Sequence, residues 1–207
     1  MPSTIAVQPF AAEQLSVGRL DNNAYLLALH DEVLLIDAAA EASRLLRWIG
    51  SRRLVGVVTT HSHHDHIGAL AEVVDATGAT AWCGTPDAAD IQRQTGVECE
   101  TVWTGDAIRL GTERLGVLGL VGHTPGSITL VSEAPGRPTH LFTGDSLFPG
   151  GVGKTGSADD FASLFAGVRD LIFGQFDDDT VVHPGHGEAT TLGAERGALP
   201  EWQARGW

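Results

Sequence analysis

The 207-residue chain is long enough for one domain with a full hydrophobic core, and 43% of its residues are apolar. Its 26 acidic residues outnumber its 13 lysines and arginines, and the formal net charge of −13 argues against nucleic acid as a partner, because phosphate binding needs clustered cations. The start of the chain lacks a basic and apolar leader, and no apolar run approaches the ~18 residues of a membrane span. We therefore expect residues 1–207 to form a single cytoplasmic domain that does not bind membranes.

The first half of the chain mixes strand-length apolar runs with helical patterns. The polar residues His30–Glu32 separate the first two runs, which predicts a hairpin. The predicted strands are Ala24–Leu29, Val33–Ile36 and Leu54–Thr60, and the predicted helices are Glu41–Gly50, Ile67–Ala76 and Asp87–Gln94, the last with Thr85 as its N-cap.

The second half consists mostly of short strands separated by Gly, Asp or Pro. The predicted strands are Thr101–Trp103, Ala107–Leu110, Leu115–Val121, Ile128–Val131, His140–Phe142 and Thr180–His183, and the predicted helix is Asp159–Phe173. Because strands and helices do not alternate strictly, a doubly wound sheet is disfavoured. An α/β fold of two facing sheets with helices outside fits the order of elements better.

A dense group of metal-binding residue types follows the strand Leu54–Thr60. His61, His63, Asp65 and His66 lie within six residues, just before a helix that we expect to begin near Ile67. In an extended segment, His61, His63 and Asp65 share one face, and His66 turns with the start of the helix. Imidazoles with a carboxylate suit a borderline metal such as zinc, so this motif predicts a metal site.

Three later segments each place another candidate ligand in a tight turn after a strand. They are Gly122–Gly126 with His123, Thr143–Asp145 with Asp145, and His183–Gly187 with His186. Strand ends at one edge of a sheet converge on a site, and glycine allows the backbone to approach closely.

The order HxHxDH, GHTPG, GD and PGHG resembles the metallo-β-lactamase superfamily, and the resemblance covers nearly the whole chain. It implies a four-layer αββα sandwich. It also implies one metal on His61, His63 and His123, a second on Asp65, His66 and His186, and Asp145 bridging the two. Asp37 would orient ligands from behind. The resemblance gives no ligand role to His64 or His183.

Asp145 also indicates the branch, because true metallo-β-lactamases lack this bridging aspartate. The segment from Phe142 to Lys154 is similar to glyoxalase II, which implies hydrolysis of an acyl-thiol by a metal-bridging hydroxide. Asp65 would orient that nucleophile, and Lys154 would bind a substrate carboxylate. Unlike glyoxalase II, the chain has only 21 residues after His186, so we expect a packed tail at Leu192–Trp207 in place of a C-terminal helical domain.

Several alternatives stay open at this level. The same motifs fit a mononuclear iron persulfide dioxygenase, a lactonase or a metal-binding domain without catalysis. We expect two divalent ions, with zinc favoured over iron and manganese, and a small-molecule thioester as substrate. Cys83 and Cys99 are expected to be reduced thiols, although the sequence does not exclude a disulfide.

Overall fold

The fold is built from two large β-sheets with helices on their outer faces, as seen in a computed structural model that describes residues 1–206. The strands of the first sheet are β1 (Ser3–Ala6), β2 (Ala11–Val17), β3 (Asn22–Leu29), β4 (Glu32–Ile36), β5 (Arg53–Thr59), β6 (Thr80–Gly84) and β7 (Glu100–Val102), in that spatial order. Neighbours from β1 to β4 are antiparallel, and neighbours from β4 to β7 are parallel.

The second sheet has six strands, in the spatial order β15-β14-β11-β10-β9-β8. They are β8 (Ala107–Leu110), β9 (Glu113–Leu120), β10 (Ser127–Ser132), β11 (His140–Gly144), β14 (Val181–Pro184) and β15 (Thr190–Thr191). Between β11 and β14 the chain forms a separate hairpin of β12 (Leu147–Phe148) and β13 (Gly151–Val152). Among the described residues 1–206, the β11–β14 pair of this second sheet is parallel and its other neighbouring pairs are antiparallel.

Helices cover the outer face of each sheet. They are α1 (Ala42–Ile49), α2 (His64–Ile67), α3 (Leu70–Thr77), α4 (Ala88–Thr95), α5 (Ala158–Gly167), α6 (Leu192–Glu195) and α7 (Leu199–Arg205). A π-helical stretch, Val168–Phe173, continues α5. None of the helices in residues 1–206 combines the length and the apolar character needed to cross a bilayer.

Three apolar clusters separate the four layers, which confirms the predicted αββα sandwich. Leu26 faces the cluster beneath α1 and α3, whereas its neighbour Leu27 faces the cluster between the two sheets. Successive side chains of a strand point to opposite faces, so a strand buried on both faces is continuously apolar. A third cluster joins the outer face of the second sheet to α5 and to Trp202 of α7.

The boundaries differ from the sequence-based expectations at several places. The strands β1 and β2 were not predicted, because their short runs mix polar and small residues. Helix α2 begins at His64 rather than near Ile67, so Asp65 lies in a helix and does not share an extended face with His61 and His63. Thr85 does not cap a helix; it lies in a 3-10 turn, Thr85–Asp87, that leads into α4.

The C-terminal tail packs against the second sheet as expected. Trp202 is 2% exposed and contacts Phe173 edge to face, with ring centroids 6.0 Å apart. The expectation for Trp207 concerns a residue outside the described range. Cys83 is buried and Cys99 is half-buried, and both carry free thiols.

Candidate metal centre

The predicted ligands converge where strands of both sheets end. His61 follows β5, His123 follows β9, Asp145 follows β11 and His186 follows β14. Asp65 lies on the short helix α2, which follows the turn after β5. The seven side chains form three overlapping groups in which the potential ligand atoms lie within 4.8 Å of one another, namely His61/His63/His123, His61/His66/Asp145 and Asp65/His66/His186.

The first triad consists of three imidazoles. The Nε2 atoms of His61 and His123 lie 3.3 Å apart, and the ring centroids of His63 and His123 are 4.5 Å apart. His61 is 1% exposed, whereas His63 faces solvent. One ring nitrogen of each histidine therefore lies near a shared position, and this position is open to solvent on the side of His63.

The second triad combines one carboxylate with two imidazoles. His66 Nε2 lies 3.3 Å from His186 Nε2, and Asp65 Oδ2 lies 3.4 Å from His186 Nε2 and 3.7 Å from His66 Nε2. His66 is fully buried at the inner side of this triad.

Asp145 lies between the two triads. Its Oδ1 is 3.4 Å from His66 Nε2, and its Oδ2 is 3.6 Å from His186 Nε2 and 3.7 Å from His123 Nε2. Oδ1 is buried, yet no hydrogen bond of acceptable geometry reaches it from any described residue. A buried carboxylate oxygen without a donor is costly in a folded protein unless a cation compensates it.

His123 and His186 are held from behind in the same way, each by a backbone carbonyl group. His123 Nδ1 donates to the carbonyl oxygen of Lys154 at 2.7 Å, and His186 Nδ1 donates to the carbonyl oxygen of Leu20 at 2.9 Å, because a carbonyl can only accept. Each bond selects the tautomer that leaves an Nε2 lone pair directed into the cluster. Imidazoles oriented in this way are typical of metal ligands.

Asp37 orients the most buried ring. Its Oδ2 accepts a hydrogen bond from His66 Nδ1 at 2.8 Å and another from Thr60 Oγ1 at 2.8 Å, while its Oδ1 accepts from the Thr60 amide. The single hydroxyl proton of Thr60 goes to Asp37, so His61 Nδ1, 3.0 Å away, must donate to the Thr60 oxygen. Asp37 therefore orients two of the imidazoles, His66 directly and His61 through Thr60.

The electrostatics of the cluster favour a bound cation. Burial, reinforced by the neighbouring histidines, lowers the pKa of His61 well below its usual value, and burial also lowers the pKa of His123. Burial opposes the charge on His66 as well, but the carboxylates of Asp37 and Asp145 raise its pKa to about 10. Although burial favours the protonated acid, the nearby histidine holds the pKa of Asp145 below its usual range.

The residues of the cluster fit divalent metal ions. Imidazoles whose Nε2 atoms face the cluster, two carboxylates and one buried oxygen without a donor form a donor set that suits a borderline divalent metal. The His/Asp groups are suited to a dinuclear site.

Two further histidines of the motifs lie outside the cluster. The side chain of His64 is 85% exposed. His183 is buried in the sheet, where it stacks on His140 and Phe142 and lies 3.0 Å from His140 through Nε2. Neither histidine belongs to the three groups of potential ligands, although His64 Nδ1 lies 3.9 Å from Asp65 Oδ1.

Two polar residues of the site were not predicted to have a role. Asn22 is 2% exposed, and its Nδ2 donates to Asp65 Oδ2 at 2.9 Å while lying 3.2 Å from His186 Nε2. Asp87 is 1% exposed and accepts hydrogen bonds from the loops that carry His61 and His123. Their contacts span 25 to 164 positions of sequence, so no local pattern marks them.

Lys154 lies beside the cluster and not in it. Its carbonyl oxygen holds His123, and its side chain is exposed at a largely apolar cavity of about 340 Å³. The lining residues are Val152, Gly153, Lys154, Thr155, Phe161, Trp202, Arg205 and Gly206. Lys154 therefore both orients the predicted ligand His123 and lines the cavity.

Several known proteins with related sequences are named as hydrolases. The chain is 29% identical over 184 residues to the hydroxyacylglutathione hydrolase GloC of Haemophilus influenzae, an alignment that covers 80% of this chain and 85% of the relative. Related solved structures include TTHA1623 in a di-iron-bound form, which is 30% identical with a TM-score of 0.71 over 88% of this chain and 96% of that one.

The BLEG-1 B3 metallo-beta-lactamase is similar as well, at 27% identity and a TM-score of 0.75, over 92% of this chain and 99% of that chain. The family profile described as Metallo-beta-lactamase superfamily matches residues 17–186, which include every predicted ligand. The chain therefore belongs to the metallo-beta-lactamase superfamily.

Proposed function

We propose that this protein is a metal-dependent hydrolase that cleaves the thioester of a small-molecule acyl-thiol. The observation that carries the proposal is the three-histidine triad and the Asp/His triad joined by Asp145, four of whose imidazoles (His61, His66, His123 and His186) are oriented from behind. The hydroxyacylglutathione hydrolase relative supports thioesters as the substrate class. We favour zinc, with iron or manganese as alternatives.

In this proposal His61, His63 and His123 hold one ion, Asp65, His66 and His186 hold the other, and Asp145 contacts both. Bound divalent ions supply a hydroxide at neutral pH and polarise the scissile carbonyl. The protein's own contribution is to fix the donor atoms. Asp37 holds His66, the Lys154 carbonyl holds His123, and the Leu20 carbonyl holds His186.

Asp65 is the proposed catalytic carboxylate. Asn22 donates to its Oδ2 at 2.9 Å, which restrains the side chain, and this hydrogen bond helps to lower its pKa although burial acts in the opposite sense. The residue is therefore an acceptor at neutral pH and can orient a nucleophile toward the carbonyl. The leaving thiolate derives from a thiol of pKa about 8.5, so its departure needs little help from an acid.

The cavity beside Lys154 is the proposed site for the rest of the substrate. Its apolar walls suit the acyl or carrier chain, and the Lys154 ammonium suits a carboxylate on that chain. Arg205 lines the same cavity, where it also donates to the Gly150 carbonyl oxygen at 3.0 Å.

The test is a substrate panel on the metal-loaded protein. It compares one hydroxyacyl group on glutathione, mycothiol and coenzyme A with a homoserine lactone, a β-lactam and glutathione persulfide under oxygen. We expect thioester cleavage that a chelator abolishes and zinc restores. Preferential lactone or β-lactam hydrolysis, oxygen consumption with the persulfide, or no turnover of any substrate would each overturn the proposal.

A further inference from the structure

We propose that Asp87 is a positioning residue that assembles the three-histidine half of the metal centre. The inference rests on the proposed function, because it assumes that this triad binds an ion. Asp87 is 1% exposed and stands where the 3-10 turn Thr85–Asp87 enters α4. None of its side-chain hydrogen bonds to described residues reaches a histidine, so any effect on the ion passes through the loops it holds.

Each carboxylate oxygen of Asp87 is occupied by a donor from a ligand-bearing loop. Its Oδ2 accepts from the Ser62 amide at 2.8 Å and from Thr124 Oγ1 at 2.7 Å. Its Oδ1 accepts from the Gly126 amide at 2.7 Å. Ser62 lies between His61 and His63 in sequence, and Thr124 follows His123, so one side chain ties together the two loops that supply all three imidazoles.

The surroundings leave these loops little room to move. A Cβ on Gly126 would lie 2.4 Å from the Asp87 amide nitrogen, so the loop packs directly on this turn. Gln94 of the same helix α4 donates to the Ser62 carbonyl oxygen at 2.8 Å. Because a buried carboxylate with three donors is costly to disturb, its bonds hold the relative positions of the loops.

The second triad is held by different groups. Asp37 fixes His66, the Leu20 carbonyl fixes His186, and Asn22 restrains Asp65. None of the hydrogen bonds of Asp87 within residues 1–206 reaches these groups. Weakening Asp87 should therefore weaken one ion site and spare the other.

The variant Asp87→Asn replaces one carboxylate oxygen, which accepts a hydrogen bond, with an NH2 group. That NH2 group then faces a donor of a ligand-bearing loop, so the hydrogen bond is lost. We expect about 10–100-fold weaker binding of one zinc ion, the range found when groups that orient metal ligands are removed. Zinc competition with a chromophoric chelator measures the two affinities. Imidazole ¹⁵N shifts after one equivalent of zinc identify the loaded rings, which in the variant should be His66 and His186 alone.

Controls separate this effect from a general loss of stability. Asp106→Asn changes a carboxylate that, within residues 1–206, accepts a hydrogen bond from the Trp103 amide alone, in an exposed turn, and this variant should bind zinc as the wild type does. Thr124→Val removes one of the three donors with little change of shape, and it should give a smaller loss at the same triad, whereas Thr124→Ser should restore binding. These two variants keep the test decisive if Asp87→Asn does not fold.

Two results would overturn the inference while the proposed function stands. One is wild-type zinc affinity at both sites in Asp87→Asn and Thr124→Val. The other is an equal loss of zinc affinity at both triads, in proportion to a lower unfolding midpoint. That result would mean that Asp87 only stabilises the fold. A wild-type protein that binds no second ion would contradict the two-metal proposal itself, and this inference with it.

Discussion

The carboxylate of Asp37 changes the acid–base behaviour of the ring it holds. His66 is fully buried, and burial alone would lower its pKa, but Asp37 at 2.8 Å and Asp145 at 3.4 Å raise that pKa to about 10. A metal ion at the second triad must therefore displace a proton from His66 at neutral pH. Since raising the pH removes that proton, zinc affinity at this triad should increase between pH 7 and pH 10.

The variant Asp37→Asn tests this coupling. Loss of the negative charge should lower the pKa of His66, and loss of a good acceptor should weaken zinc binding at the second triad by about 10–100-fold. An NMR titration of the His66 imidazole in chelator-treated protein measures the pKa. Asp75→Asn on the exposed side of α3 is the control, and an unchanged His66 pKa in Asp37→Asn would contradict the account.

The carboxylate-binding role proposed for Lys154 can be tested by replacing its side chain. Lys154→Ala should raise KM for a carboxylate-bearing thioester by roughly 10-fold and leave kcat within about twofold, because the ammonium binds a part of the substrate that does not react. Steady-state kinetics with a charged thioester and a matched uncharged one measure the difference. Equal effects on both substrates would argue against carboxylate recognition. Arg109→Ala removes an exposed cation of β8 and is the control; it should leave KM and kcat unchanged for both thioesters.

At the scale of elements, the β6 end and the loop after β9 are packed so closely that only glycine fits. A Cβ on Gly84 would lie 2.0 Å from the Gly126 carbonyl oxygen and 2.9 Å from Ile128. The backbone must shift to accept a methyl group there, and overpacking of this kind costs about 1–3 kcal/mol.

Gly84→Ala should therefore lower the free energy of unfolding by about 1–3 kcal/mol and weaken zinc binding at the three-histidine triad. Gly197→Ala is the matched control, since a Cβ at Gly197 meets no atom within 4 Å. Denaturant unfolding measures the first effect and zinc competition the second. Equal stability of the two variants would show that the contact between these elements is not tight.

The elements that position the site were predicted from sequence unevenly. The hairpin of β3 and β4 is confirmed because each strand is a continuous apolar run with a polar turn between them. The start of α2 at His64 was missed because a helix of four residues has no apolar periodicity to detect. Strands β1 and β2 carry mixed residues, so only their pairing in the sheet identifies them.

The same contrast holds for the side chains of the site. The predicted ligands belong to short motifs whose residue types carry their own chemistry, and the fold brings them together. Asn22 and Asp87 look like ordinary turn residues in sequence, and their partners lie far along the chain. Hydrogen bonds between distant segments are a property of the folded chain and leave no local pattern.

At the scale of the whole molecule, buried histidines outside the site couple stability to pH. Burial lowers the pKa of His183 to about 3 and also lowers the pKa of its partner His140. The folded state keeps these rings neutral, whereas the unfolded chain binds protons below pH 6.5. The stabilising contribution of the neutral His183 ring is therefore complete above pH 6.5 and is lost as the pH falls toward 3, and His140 acts in the same direction.

The free energy of unfolding of chelator-treated protein should fall below pH 6.5, with His183 contributing up to about 1.4 kcal/mol per pH unit. His183→Phe keeps an aromatic ring in the stack but removes one titrating group, so its stability should depend less steeply on pH. Denaturant midpoints from pH 7 to pH 4 compare the two proteins. Parallel pH curves would contradict this assignment.

In the proposed mechanism, Asp145 joins two metal sites into one hydrolytic centre. Its most direct test is elemental analysis of the purified wild type and of Asp145→Ala, each paired with a thioester hydrolysis assay. We expect about two metal ions per wild-type chain, and in the variant we expect loss of the second ion and a fall in turnover of more than about 100-fold. A variant with full metal content and full thioester turnover would contradict this mechanism.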